Sequence, residues 1–256
     1  MKTTRKTLAV ASITGLLILA GACSSNTNKQ AAEQSSVASK GDGKGTAPPA
    51  AEAKQADKAL VRFVNGTSSS KDLAFGDAIP FSGVGSDDIS AYKELPAERH
   101  DFKLTAEGNA TVPLATNSEG LSGGKHYTIL AYTKKDGKAA LDPITDDLVP
   151  PNPDQAKVRV INLAPALENA DLYVQGKSSP LISGVGFEHA TDYKDVAPTN
   201  AELVVRHGTS KRNSASLKDV DIKGGKLYTI LVFQDKHHKL STKIVEDQFT
   251  SLPAGS

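Results

Sequence analysis

The chain of 256 residues contains the same module twice. Several short motifs of the first half return in the second half, and three of them are separated by the same 101 positions. A constant spacing over separated motifs indicates an internal duplication, because chance matches would not keep one register. The three matched pairs are Ser82-Gly83-Val84-Gly85 with Ser183-Gly184-Val185-Gly186, Tyr92-Lys93 with Tyr193-Lys194, and Gly123-Gly124-Lys125 with Gly224-Gly225-Lys226.

The segments inside each module predict β-strands. Residues 157–162 and 171–175 are rich in β-branched or aromatic residues and are bounded by Asn, Pro and Gly. Residues 127–132 are apolar on both alternating faces, as in a strand that is covered on both sides. Neither copy sustains the apolar spacing of a helix over the roughly ten positions that a helix needs. We therefore expect an all-β chain of two tandem immunoglobulin-like β-sandwich domains.

Composition predicts where these domains begin and end. Residues 23–57 are polar and carry almost no strong hydrophobes, so they are expected to form a disordered tether. Clustered prolines between the copies favour an extended spacer. The expected organisation is a signal peptide at 1–22, the tether at 23–57, a first β-sandwich at 58–149, a Pro-rich linker at 150–155, a second β-sandwich at 156–250 and a tail at 251–256.

The N-terminus has the pattern of an export signal. Lys2, Arg5 and Lys6 precede an apolar run at 7–22 that ends in small residues. This run is shorter than the ~20 residues of a membrane-spanning helix. The small residues before Cys23 resemble a bacterial lipoprotein signal, whose cysteine carries the lipid. We expect an exported protein that is anchored to the cell envelope through lipid on Cys23, at the outer membrane or the outer face of the cytoplasmic membrane. A cleaved signal that leaves Cys23 free is the alternative.

Charge and cysteine content argue against a nucleic-acid partner and an internal disulfide. The formal net charge is +1, which offers little attraction for nucleic acid, so no nucleic-acid partner is expected. A single cysteine cannot form an internal disulfide, although the expected compartment would permit one. The stability of the exported domains must then come from apolar burial.

The repeated Gly-Gly-Lys-x-Tyr-Thr motif predicts a structural turn and corner. Its glycines suit a turn that needs positive φ, and its tyrosine enters a central strand at the start, as in the tyrosine corner of immunoglobulin-type sandwiches. The hydroxyl is expected to bond to nearby backbone, and a ligand platform is the alternative. The residues concerned are Gly123, Gly124, Tyr127, Gly224, Gly225 and Tyr228.

Three stretches of the second copy resemble a known family. Residues 158–165, 170–177 and 225–229 are similar to the domain of unknown function 4397 family. The resemblance implies exported bacterial β-sandwich modules that often occur in tandem and are often lipid-anchored, with no established activity. More faintly, the plan of two sandwiches is similar to that of a periplasmic accessory protein of alginate acetylation, which is a non-catalytic adaptor.

Two catalytic or metal-binding patterns fail on their context. Ser122 lies in a Gly-x-Ser-x-Gly pattern typical of hydrolases, but a strand rather than a helix is expected to follow it, and Lys223 occupies its place in the second copy. His237 and His238 are adjacent, so on a strand they would point to opposite faces and could not share one ion. We expect no catalytic residue, no metal and no cofactor.

One basic concentration remains as a candidate binding surface. Arg206, Lys211 and Arg212 lie in the second copy, and the aligned stretch of the first copy is not basic. These residues predict a surface for an anionic ligand, and a solvated hairpin loop is the alternative. The expected function is a non-catalytic binding or structural module with an envelope glycan or another envelope protein as partner. The alternatives are an accessory adaptor of a surface-polysaccharide modification or export system and a serine hydrolase built on Ser122.

Overall fold

The computed structural model describes residues 57–248, except for Thr209, Lys211 and the side chain of Asn213. The predicted signal peptide, Cys23, the tether up to residue 56 and the tail lie outside the described residues. Within that part of the chain there are 18 strands and no helix. None of it forms a helix long and apolar enough to cross a membrane.

The first repeat is built from two sheets. Strand β1 lies beside β8, with β4 and β5 on its other side and β9 beyond β8, and this five-stranded layer is called inner sheet 1. The order β3-β2-β6-β7 forms outer sheet 1. The strands are β1 Lys58–Gly66, β2 Lys71–Phe75, β3 Ala78–Val84, β4 Asp88–Ile89, β5 Lys93–Pro96, β6 Arg99–Ala106, β7 Ala115–Gly120, β8 His126–Thr133 and β9 Ala139–Asp146.

The second repeat has the same plan. Strands β10 and β17 are the centre of inner sheet 2, flanked by β13 and β14 on one side and by β18 on the other, and the order β12-β11-β15-β16 forms outer sheet 2. The strands are β10 Ala156–Asn162, β11 Asn169–Val174, β12 Ile182–Gly186, β13 His189–Ala190, β14 Lys194–Val196, β15 Thr199–His207, β16 Asn213–Ile222, β17 Leu227–Gln234 and β18 Leu240–Asp247.

The central strands of each inner sheet run parallel. Val61 is opposite Tyr127 in the β1–β8 pair, and Val158 is opposite Tyr228 in the β10–β17 pair. These four strands lie inside their sheets, and almost every residue in them is buried. Such near-continuous apolar runs are what a strand needs when both of its faces are covered.

Three apolar cores stack the four sheets in one series. One core lies between inner and outer sheet 1, a second lies between inner and outer sheet 2, and a third joins the two inner sheets. Alternate residues of β8 divide between cores: Ile129 packs inside the first sandwich, whereas Leu130 packs against the second repeat. The all-β prediction of two tandem sandwiches is confirmed, and the second cover on the central strand is the other repeat.

Candidate functional site

The face between the two inner sheets contains charged as well as apolar side chains. Arg62 on β1 is 2% exposed and Arg159 on β10 is 3% exposed. Side chains alternate between the two faces of a strand, and the residues that precede and follow each arginine point into the sandwich core. Each arginine therefore points into the face between the two inner sheets. Such buried charges require partners, since an unpaired ion in a protein interior costs several kcal/mol.

Each arginine finds its carboxylate on the other repeat. Arg62 Nη1 donates to Asp247 Oδ1 at 2.6 Å, and Arg159 Nη2 donates to Asp146 Oδ1 at 2.5 Å. Asp146 and Asp247 end strands β9 and β18, and their side chains are fully buried. The two repeats therefore exchange ion pairs reciprocally across the interface.

Residues of the same repeat complete the partners of each arginine. Arg62 Nε donates to Thr128 Oγ1 at 2.8 Å, and the guanidinium lies 4.7 Å from the ring centre of Tyr92. In the second repeat, Arg159 has the same 2.8 Å bond to Thr229 and the same 4.7 Å contact with the Tyr193 ring. Each guanidinium is thus held between a cation–π contact and a carboxylate.

The carboxylates are also saturated by donors from their own repeat. Asp146 accepts from the Tyr92 hydroxyl at 2.6 Å and from Thr128 Oγ1 at 2.7 Å. In the second repeat, Asp247 accepts from Tyr193 at 2.8 Å and from its threonine at 2.6 Å. We call these eight residues the reciprocal ion-pair layer: Arg62, Tyr92, Thr128, Asp146, Arg159, Tyr193, Thr229 and Asp247.

Electrostatics move the pKa values of Arg62, Asp146 and Tyr92 away from neutral pH. Burial by itself lowers the pKa of Arg62, but the carboxylates of Asp247 and Asp146 outweigh it and raise this pKa above its ordinary value. Burial by itself raises the pKa of Asp146, yet Arg159 and Arg62 hold that pKa below its ordinary value. Burial and then Asp146 raise the pKa of Tyr92, so its hydroxyl remains a donor.

The chemistry of this layer is structural. Two arginines and two aspartates balance in charge, and their polar atoms point at one another inside a solvent-excluded face. Two open surface clefts reach the edge of the layer, one beside Asp247 and one beside Tyr193. Half-buried polar contacts outside the layer also join the repeats, including Lys243 Nζ with Asp88 Oδ1 at 2.5 Å and Ser241 Oγ with Asp87 Oδ2 at 2.8 Å.

The repeated Gly-Gly-Lys-x-Tyr motifs form equivalent corners in the two repeats. The Tyr127 hydroxyl accepts the backbone N–H of Ser122 at 3.0 Å, and the Tyr228 hydroxyl accepts that of Lys223 at 3.1 Å. Gly124 and Gly225 have φ of 75° and 74°, a region that favours glycine. The first glycines of the motifs, Gly123 and Gly224, complete the turns, and a Cβ on Gly224 would lie 2.2 Å from the Pro153 carbonyl oxygen. This is tyrosine-corner geometry.

Ser122 lies on an exposed turn that leads into strand β8. A nucleophile elbow requires a helix directly after the serine, and the chain continues here as a strand. The geometry offers Ser122 no such setting.

His237 and His238 lie in the exposed hairpin turn between β17 and β18. The backbone N–H of His237 donates to Asp235 Oδ1 at 2.8 Å, while His238 Nδ1 lies 2.7 Å from Gln234 Nε2. Among the described residues, no group of three or more His, Cys, Asp or Glu side chains could hold a metal ion.

The predicted basic surface lies at the hairpin between β15 and β16. Arg206 is half-buried, and its guanidinium stacks 4.3 Å from the ring centre of Tyr173. Arg212 is exposed in the connection, and Lys211 lies outside the described residues. The structure therefore places one of these cations against an aromatic ring and another in solvent.

Sequence reasoning missed the reciprocal ion-pair layer. The signal was present, because an arginine interrupts the same apolar strand in both copies, as Arg62 and Arg159. A charge repeated within a buried strand points to a buried partner.

Comparison with known proteins now places the fold in a family. The family described as "Domain of unknown function (DUF4397)" matches residues 59–173 and 165–256. The chain belongs to the DUF4397 family. The first DUF4397 match covers the first sandwich and continues through β10 into β11. The second match begins after β10 and covers the rest of the second sandwich, and the description of the family names no activity.

Other comparisons add no functional assignment to the DUF4397 modules. Among curated proteins, none matches the chain. A crystal structure of a candidate cell adhesion protein from Bacteroides uniformis is 12% identical, with a TM-score of 0.23, over 74% of this chain and 97% of that one. At this TM-score the likeness carries no argument about the present protein.

Proposed function

We propose that this protein is a non-catalytic binding or structural module of the cell envelope, anchored by lipid on Cys23. The observation that carries the non-catalytic part is the reciprocal ion-pair layer. It uses eight Arg, Asp, Tyr and Thr side chains, residue types on which an active site could draw, to join two sandwiches. The outer sheets and the hairpins remain for contacts with other molecules.

The anchored part of the proposal rests on the sequence around Cys23. A basic segment, a short apolar run and small residues before a cysteine support export followed by acylation. One acyl chain binds a membrane only marginally, so stable anchoring requires more than one chain on this cysteine or a second signal. An anchored two-sandwich protein would present its binding surfaces near the envelope, at a distance limited by the reach of the tether at 23–57.

Metabolic labelling with a fatty acid tests the anchor. Wild-type protein and the control Ser24→Ala are expected to incorporate labelled palmitate and to sediment with membranes. Cys23→Ala is expected to lose both properties. Label that persists in Cys23→Ala, or wild-type protein without label, refutes the anchor.

A pull-down with purified envelope glycan tests the partner. Binding that is lost in Arg206→Ala combined with Arg212→Ala supports a glycan partner, and with it the adaptor role in a surface-polysaccharide system. Lys177→Ala combined with Lys194→Ala is the control, since both lysines are exposed and lie outside that hairpin. Binding that survives the arginine substitutions refutes this surface. Any hydrolytic activity lost on Ser122→Ala would refute the non-catalytic role.

A further inference from the structure

A cleft opens at one end of the interface between the two inner sheets. Strands β1, β8, β10 and β17 all end there, whereas the reciprocal ion-pair layer lies toward the start of β8 and β17. The cleft has a volume of about 450 Å³ and is lined by the segments after β1 and β10 and by the β8–β9 and β17–β18 hairpins. This volume lies in the range of sites for small molecules.

The floor of the cleft is apolar and comes from the second repeat. Leu163 is 1% exposed, and Pro165 and Ala166 line the cleft beside it. Gly66 of the first repeat packs over this floor, because a Cβ on Gly66 would lie 2.9 Å from Leu163 Cδ1. The equivalent positions of the two repeats thus differ, and the difference leaves a hydrophobic surface on one side of the cleft.

The walls of the cleft are cationic. Lys134, Lys135 and Lys236 line it together with a single acid, Asp235. Asp235 Oδ1 accepts the backbone N–H groups of its own hairpin at 2.8 and 2.9 Å. Lys135 pairs with Glu168 at 2.6 Å on the surface.

Two of these lysines are not neutralised by an ion pair. Within the described part of the chain, no carboxylate lies within 4.0 Å of the ammonium group of Lys134 or Lys236. Both side chains are exposed and come from different repeats, so they face the cleft from its two walls. Asp136, in the same hairpin as Lys134, interacts with that lysine only at longer range. An apolar floor between two cations that have no ion pair is complementary to a molecule that has an apolar body and an acidic group.

We infer that this cleft binds a small organic anion. Its apolar body would lie on Leu163, Pro165 and Ala166, and its carboxylate or phosphate would face Lys134 and Lys236. The site needs both repeats, because each contributes one of the two lysines. This inference specifies a ligand class for the binding role proposed above, and the biological role of the cleft rests on that proposed function.

Two fluorescent probes of nearly the same shape test the site. The anion 1-anilinonaphthalene-8-sulfonate is titrated into the purified full-length protein in parallel with neutral N-phenyl-1-naphthylamine. We expect saturable binding of the anion, at least tenfold tighter than that of the neutral probe and weakened by added salt. Equal affinity for the two probes, or no saturable binding of the anion, overturns the inference.

Substitutions locate the bound probe. Lys134→Gln combined with Lys236→Gln is expected to weaken binding of the anion about tenfold and to change binding of the neutral probe less than twofold. Lys103→Gln combined with Lys218→Gln is the matched control, because it removes the same charge from exposed positions on the outer sheets. Wild-type affinity in the cleft variant, or an equal loss in the control, contradicts the assignment.

Displacement identifies the acidic group. Decanoate or decyl phosphate should displace the anionic probe, and decanol should not. Displacement by decanol at the same concentration refutes the role of charge. These titrations do not depend on Cys23, so a failed anchor and a failed cleft give different results.

Discussion

The reciprocal ion-pair layer predicts strong energetic coupling between residues of different repeats. Arg62→Met leaves the buried carboxylate of Asp247 without its guanidinium, while two hydroxyl donors at 2.8 and 2.6 Å remain. Removing one partner of a buried pair costs about 3–5 kcal/mol, and the remaining donors place this variant near 3 kcal/mol. Asp247→Asn is expected to cost a similar amount, because it leaves a buried cation.

The double variant Arg62→Met/Asp247→Asn is expected to lose less free energy of unfolding than the sum of the losses of the two single variants. With both charges removed, the loss should be about 4 kcal/mol, which gives a coupling of about 2 kcal/mol. Urea unfolding followed by far-ultraviolet circular dichroism measures each free energy of unfolding. The mirror cycle, Arg159→Met with Asp146→Asn, should give the same coupling within error.

An exposed pair between the repeats serves as the control. Lys243 and Asp88 are 41% and 50% exposed, so Lys243→Met with Asp88→Asn should show a coupling below about 1 kcal/mol. If the buried cycles are additive to within about 0.5 kcal/mol, the reciprocal pairs do not couple the repeats and the reasoning is refuted.

Three further predictions concern pH, the corner and the turn. The pKa of Asp146 is lower in the folded protein than in the unfolded chain, so ionised Asp146 stabilises the fold fully above its unfolded pKa of about 3.9. This stabilisation is lost as pH falls through the lower folded pKa, and the urea midpoint measured at a series of acid pH values should fall with it. A midpoint that stays constant down to pH 2 contradicts the prediction. Tyr127→Phe should cost about 1 kcal/mol in urea unfolding, because it removes the acceptor of a backbone N–H, and an unchanged midpoint argues against the corner. Gly224→Ala should lower the free energy of unfolding by about 1–3 kcal/mol through its clash with the Pro153 carbonyl, whereas Gly120→Ala, which meets nothing within 4 Å, should change it by less than about 0.5 kcal/mol; equal effects refute the clash.

The sandwich fold was predictable because its signals are local. Turn glycines and a strand apolar on both faces, at residues 127–132, can be recognised within a few positions of one another. The identity of the second cover on that strand was not predictable, since nothing local says whether the other repeat packs on it.

The pairing of each arginine with the aspartate of the other repeat could not be predicted from the sequence, for a related reason. Each repeat contains its own arginine and aspartate at equivalent positions, so Arg62 has two equivalent carboxylates to choose from, Asp146 and Asp247. Only the packing of the inner sheets places the closer contact at 2.6 Å on Asp247 and leaves Asp146 at 3.9 Å. The cleft is hidden in the same way, because its lysines lie in two hairpins about one hundred residues apart.

The exchange between Arg62–Asp247 and Arg159–Asp146 obeys the rule of a two-fold homodimer. In such a dimer, if one residue of the first subunit contacts another of the second, the reverse contact also occurs. Here both subunits belong to one polypeptide, and the short connection between β9 and β10 holds them at an effective concentration on the order of millimolar. Pairing is therefore independent of how much protein the cell makes. The self-complementary surface is occupied within each molecule and is withheld from association between molecules.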